Sequence, residues 1–401
     1  MPLTAPVSDW TSDFDVLDPQ YVVNPFTIWD DLRARCPIAH TKRRGSNWLP
    51  TRYDDVTNMA HDIEHFSSSQ VLVIPIGDEE SDEGPDLEYG FPPIGADPPL
   101  HTWTRRLLLP WFSHARVKSY VPLTRSVCTT LLDGFADGSE VDAAVAYAQQ
   151  IPVRVIAKIL GVPTDMSDTF TQWVRDFLEF ADDAERRIAA GDALLTYFVE
   201  QMELRRHSPG DDLLSELLQS EVNGEPVDDG VILGMAAVVL IAGVDTTWSA
   251  IGSSLWHLST HPDDLQLLVE HPEMMTQAIE ELLRAYSPVT MARVVTEDIV
   301  FGGCPMKEGD KVLMNFPAAN RDPEAFADPD RVDLNRTHNR HVAFGSGIHR
   351  CAGSNLARME LKVALEEWIH RIPTFTLDLG QETTWAGGQV RGPRTLPVVF
   401  R

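Results

Sequence analysis

Cysteine is scarce and scattered in this chain: four among 401 residues, at Cys36, Cys128, Cys304 and Cys351. Spacing this wide argues against a disulfide framework and suits a reducing compartment. Long apolar runs are missing as well. The longest, from Met235 to Val244, is about half of the roughly 20 residues a bilayer span requires, so a buried helix is expected there and no membrane partner. The first ten residues carry neither a basic flank nor an apolar stretch, which leaves the cytoplasm as the expected location. Positive charge is in deficit: 33 Lys and Arg against 60 Asp and Glu give a net charge of -27, which argues against nucleic acid as a partner. Many of the acids gather in 78–88, expected as an exposed, solvated loop. No Gly/Ser linker, internal repeat or low-complexity tract divides the chain, and its chemistry-bearing segments are spread from residue 101 to residue 353. One domain over 1–401 is therefore expected, although length alone would suggest two or three.

What is present is a 43% hydrophobic chain, enough for a large core. Apolar spacing predicts helices over 101–111, 116–135, 143–160, 167–180, 184–206, 212–221, 228–260, 262–271, 273–286 and 356–371. Strand character is read at 47–53, 293–295, 299–301, 311–314 and 375–377, with a helix start at 54–60. The expected fold class is mainly α with small β-sheets.

The richest local pattern is Phe344-Gly345-Ser346-Gly347-Ile348-His349-Arg350-Cys351-Ala352-Gly353. Its glycines let the loop curl and turn amides toward the sulfur, and the helical spacing that follows puts Cys351 near a helix N-terminus, where an anion is favoured. A thiolate ligand is one reading. An inert loop cysteine is another, and zinc a third, since His338, His341 and His349 lie close by; no second cysteine supports zinc.

These ten residues match the haem-binding signature of the cytochrome P-450 family, and the chain resembles that family along essentially its whole length. The resemblance implies the family's fold, with haem b between a long oxygen-binding helix and the cysteine-loop helix. It makes Cys351 the axial thiolate of the iron, an electron-donating ligand that favours O–O cleavage. Phe344 and Gly353 would belong to the same cofactor site.

Inside the apolar stretch 228–260, Ala242-Gly243-Val244-Asp245-Thr246-Thr247 places an acid and two hydroxyls where each weakens a helix and costs free energy to bury without a partner. A solvent-facing polar turn would explain it equally well in isolation. The hexapeptide is similar to the family's oxygen-handling signature, which implies that Thr246 hydrogen-bonds bound dioxygen, that Asp245 relays protons, and that Gly243 leaves room for oxygen.

Glu281 and Arg284 stand i, i+3 on one helix face. The resemblance makes them a structural pair, with Arg331 as third partner bracing the cysteine side. It also implies four haem-propionate partners at His101, Arg105, Arg293 and His349. Substrate contacts would come from variable segments that include Ile241, Val244, Val289, Met291 and Val390, together with 71–76, Phe177, Phe180 and Gln389, which are mostly apolar. A small, neutral, hydrophobic substrate follows.

The run 385–393, with Trp248, is similar to haem domains of self-sufficient bacterial members fused to phthalate-dioxygenase-type reductases and to their free-standing relatives. Oxidative hydroxylation or O-/N-dealkylation is the activity this implies. Electrons would come from NAD(P)H through a ferredoxin and ferredoxin reductase, or through a reductase fusion partner, with Arg105, Arg106, Arg350, Arg358 and Lys362 as a basic docking face. The alternatives are a haem-based sensor or electron-transfer protein, and a peroxide-driven peroxygenase.

Overall fold

The computed structural model describes residues 5–76, 89–135 and 139–400. The acidic stretch 78–88 lies outside them.

The fold is organised by a helix of 32 residues, Asp229–Thr260. Asp228 caps it by accepting from the Gly230 amide at 2.8 Å, and it stops at His261, where Pro262 opens the next helix. Among the described residues it is the one helix long and apolar enough to cross a membrane, yet it is a core element. Trp248, Ile251, Leu255 and Leu258 pack with Leu361, Leu365 and Trp368, while Met235, Leu240 and Val244 pack with Ile156, Leu160 and Phe198. A helix buried on opposite faces needs apolar residues all round.

Ser354–Arg371 runs against this helix and against His114–Asp133. A five-stranded sheet lies to one side, in the order Ile38–Thr41, Asn47–Pro50, Lys311–Met314, Met291–Val295, Phe66–Ser67. Its pairings are antiparallel except for Lys311–Met314 against Asn47–Pro50. The family resemblance anticipates this mainly helical architecture with small sheets, and the structure has it.

Local differences have local causes. The helix expected over 101–111 is Leu100–Leu108, tightened into a 3-10 turn over Leu109–Phe112 around Pro110. The stretch 143–160 opens with a wide π turn, Ala144–Ala148, before Gln150–Leu160. Strands Ile38–Thr41, Cys304–Met306, Thr384–Ala386, Gly392–Thr395 and Pro397–Phe400 had no sequence signal. Each is three or four residues long, and Pro305, Pro393 and Pro397 disguise three of them.

Candidate active site

Gly345 and Gly347 hold left-handed φ angles of +72° and +69°, and a Cβ at Gly347 would stand 2.3 Å from the Ala60 carbonyl oxygen. Only glycine lets the loop pass there. The Cys351 amide donates to the Phe344 carbonyl at 2.8 Å, and the Gly353 amide donates to the Cys351 sulfur. Gly353 then starts the helix Ser354–Arg371. Arg358, paired with Glu280 at 2.6 Å and 2.8 Å, lies over the Phe344 ring at 4.3 Å.

Cys351 keeps accessible surface, yet burial is the dominant influence on its thiol and pushes it up; the Gly353 N–H, Arg105, Arg350 and Arg358 pull it down. The two facts agree because the open side of the sulfur faces an internal chamber. That chamber measures about 1820 Å³ with its mouth. The cysteine loop forms one wall; Ile241, Ala242, Gly243, Thr246 and Thr247 of the long helix form another.

Arg105, Arg293 and His349 line the same chamber. Neither arginine has a carboxylate within ion-pair distance among the described residues; Arg293 donates to the Ala292 carbonyl at 2.7 Å and Arg105 to the Arg350 carbonyl. Burial brings Arg293 down to about 10. Burial and the neighbouring Arg293, His101 and Arg105 push His349 down to about 3, and its Nε2 meets Ser68 Oγ at 2.9 Å. His101 does not line the chamber. It lies behind His349, ring centroids 4.3 Å apart, and its buried Nε2 has no partner among the described residues. Two arginines on a chamber wall without counter-charges call for anions, and the histidines add hydrogen-bonding nitrogens, so this cluster suits a ligand carrying carboxylates. With the Cys351 sulfur on the same chamber, these residues would fit haem and its two propionates. Arg293→Met is expected to speed haem loss by about 10- to 100-fold, the worth of one charge-assisted hydrogen bond; transfer to a haem-scavenging protein measures it.

Asp245 does not reach the chamber. It is buried beside Arg394, whose Nη2 donates to Oδ1 at 2.8 Å; Ser249 Oγ donates to the same oxygen at 3.3 Å, and Oδ2 has no partner among the described residues. Burial raises its carboxyl to about 6, with Arg394 opposing and Glu179 adding to the rise. Arg394 also holds Glu179 at 2.5 Å and lies 4.2 Å over the Trp248 ring. Thr246 faces the chamber and donates its hydroxyl to the Ala242 carbonyl at 2.7 Å. Gly243 serves packing: a Cβ there would stand 2.6 Å from Ile156 Cδ1, so it lets Gln150–Leu160 approach the long helix. Gly243 also stands on the chamber wall, so it combines this packing role with a place beside the cavity.

Glu281 and Arg284 form a fully buried pair, with both contacts at 2.8 Å. The expected third partner is corrected: Arg331 contributes its main-chain carbonyl to Arg284, and the guanidinium on Glu281 is Arg336, at 3.0 Å and 3.1 Å. Asn339 and the Asp333 amide complete the carboxylate's shell. Arg284 reaches on to the Asn320 carbonyl, and the Asn320 side chain accepts from the Val342 amide at 2.7 Å, just before the cysteine loop.

Ile241, Val289, Met291 and Val390 line the chamber, as do Phe177 and Gln389, but Val244 and Phe180 do not. Val244 packs into the core against the helices behind, and Phe180 lies under Arg186 at 3.4 Å. Arg105 also leaves the expected docking face, because it points inward. His341 is taken up by Glu280, and among the described residues no group of three or more His, Cys, Asp or Glu could hold a metal ion, which removes the zinc reading.

Residues 153–384 match the model of the family described as Cytochrome P450. The chain is 35% identical over 361 residues to a mycinamicin IV hydroxylase/epoxidase from Micromonospora griseorubida, covering 88% of this chain and 89% of that protein. It is 34% identical to a vitamin D(3) 25-hydroxylase from Pseudonocardia autotrophica, across 96% and 97% of the two chains. The crystal structure of CYP109E1 from Bacillus megaterium in complex with testosterone superposes with a TM-score of 0.86 at 30% identity, over 94% of this chain and 98% of that one. With the cysteine loop, the cationic cluster and the acid-bearing helix around one chamber, these likenesses decide the matter: the chain belongs to the cytochrome P450 family and is a haem monooxygenase.

Proposed function

We propose that the chain, as one haem domain, inserts an oxygen atom from O2 into a small, neutral, hydrophobic substrate, by hydroxylation or oxidative dealkylation. The observation that carries this reading is the juxtaposition of Thr246 on the chamber wall with Asp245 behind it. Haem with a cysteine thiolate supplies dioxygen activation when bound. Cys351 would hold it from one side, and Arg105, Arg293 and His349 would orient its propionates, with His101 supporting His349 from behind. Asp245, near neutrality in pKa, takes up a proton by way of the Glu179–Arg394 side and offers it at the Thr246 hydroxyl. A sensor or an electron carrier has no use for that acid. Turnover under isotopically labelled O2 tests the reading: a hydroxylated product, or the aldehyde fragment of a dealkylation trapped before exchange with water, should carry one labelled atom, and its absence from both would refute it.

The substrate follows from the lining. Away from the cationic cluster the chamber is walled by Phe91, Ile94, Phe177, Ile241, Val289 and Val390. The amide of Gln389 is already committed to the Val73 amide at 2.7 Å and to the Val71 carbonyl. Such a surface offers a charged ligand nothing and an apolar one its full contact. Val390→Phe is expected to weaken binding of bulky apolar ligands about 10-fold or more by filling space. Spin-state titration measures it, with haem content unchanged.

Electrons would arrive from NAD(P)H through an acidic ferredoxin-type protein fed by its reductase. Among the described residues Arg106 and Arg350 are exposed and show no ion pair, whereas Arg358 is held by Glu280 and Lys362 lies 3.9 Å from Glu366. The docking charge therefore centres on Arg106 and Arg350, and the cytoplasm supplies such carriers.

A further inference from the structure

Cys36 and Cys304 are far apart in sequence but converge in space. Cys36 Sγ lies 3.5 Å from the Ile38 carbonyl oxygen, and Cys304 Sγ lies 3.9 Å from the same oxygen. The sulfurs are thus no further apart than those two contacts end to end. Both residues are half-exposed and neither is bonded. Burial raises the Cys304 thiol, and the neighbouring Cys36 and then Asp55 raise it further, as expected of two thiols within electrostatic reach.

The surroundings let them meet. Cys36 ends the helix Phe26–Arg35 and precedes Ile38–Thr41, the edge strand of the five-stranded sheet. Cys304 follows the Gly302-Gly303 turn, φ +57° and +85°, of a hairpin formed by Ile299–Phe301 and Cys304–Met306. A two-glycine turn gives a hairpin its pivot. This hairpin has no ladder to the larger sheet; it rests there through Phe301 on Phe66, with the turn at Gly302 facing Ile38. Joining the sulfurs would draw the hairpin at Cys304 toward the sheet edge at Cys36.

We propose that Cys36 and Cys304 form a peroxide-oxidisable dithiol whose disulfide staples the hairpin to the sheet edge. One thiolate attacks hydrogen peroxide, giving a sulfenic acid as the O–O bond breaks. The other sulfur then displaces the sulfenic oxygen as water. In sum, two thiols and one peroxide give one disulfide and two waters, with the sulfurs oxidised and the peroxide reduced. The sheet so fastened includes Met291–Val295, which supplies Met291 and Arg293 to the chamber.

The test uses the haem-loaded protein, in which Cys128 is fully buried and Cys351 lies in the chamber. Brief hydrogen peroxide treatment should remove two reagent-accessible thiols together, a small dithiol should restore both, and non-reducing peptide mapping should find the segments of Cys36 and Cys304 joined. Thermal unfolding of the oxidised form should shift upward, as a closed long loop requires. In Cys36→Ser and in Cys304→Ser, the linked peptide and the upward shift should both vanish. Absence of the linked peptide from the wild type, with both thiols intact or separately overoxidised, would overturn the proposal.

Discussion

Asp245→Asn is expected to lower product formation by about 10²- to 10⁴-fold, the usual worth of a positioned general acid. The side chain keeps its shape, so Arg394 still finds an acceptor oxygen and retains Glu179 at 2.5 Å. Loss of the titrating proton is the main change. The pH dependence separates this from a folding defect. Burial raises the carboxyl to about 6, so the acid form is populated below that pH and is lost as pH rises through it. The wild-type rate should fall over that interval, and the rate of the Asn variant should not follow it. Turnover at saturating electron supply from pH 5 to pH 8 gives the comparison, which spans about one unit below and two above the group's pKa.

Glu281→Ala should cost about 3–5 kcal/mol of stability, the penalty for removing one partner of a buried ion pair. Glu281 and Arg284 are both fully buried, so little solvent screening discounts the figure. Removing the carboxylate leaves Arg284 and Arg336 facing each other, with the Asp333 amide and Asn339 unsatisfied. The damage should pass through Asn320 to Val342 and the cysteine loop, so haem retention should fall along with the denaturation midpoint. Denaturant titration followed by circular dichroism and by haem absorbance measures both. Glu281→Gln, which keeps the shape and one acceptor oxygen but no charge, should fall between Ala and wild type.

How much of this was legible in the sequence depends on how local each feature is. The cysteine loop was readable because its glycines, its sulfur and the helix after it are contiguous. The long helix was readable from its cap at Asp228 and the proline after His261. Arg394 was not, because it lies 149 residues from Asp245 and only the fold joins them. Arg336 was not, because it and Arg331 are both arginines in one irregular stretch; the backbone path decides which guanidinium turns inward. The same limit governs Ser68 on His349, 281 residues away. Glu360 shows another: it is an acid on the cysteine helix that reads as a surface residue. Yet it is buried with neither oxygen partnered among the described residues, and burial pushes its carboxyl up, favouring the neutral form.

Substrate residues were the hardest to place for a physical reason. Ile241 and Val244 are three positions apart on one helix, and both read simply as apolar. One lines the chamber and the other fills the core behind it, a distinction set by the helix's rotation against Gln150–Leu160. That rotation depends on Gly243, whose missing side chain admits Ile156.

The central claim is that Cys351 supplies a thiolate to haem in this chamber, and the carbon monoxide difference spectrum of the reduced, haem-loaded protein tests it most directly. The wild type should show the strongly red-shifted Soret band of a thiolate-ligated haem, and Cys351→Ser should bind carbon monoxide without it. A wild-type spectrum of the histidine-ligated type, or a red-shifted band that survives in Cys351→Ser, would contradict the account.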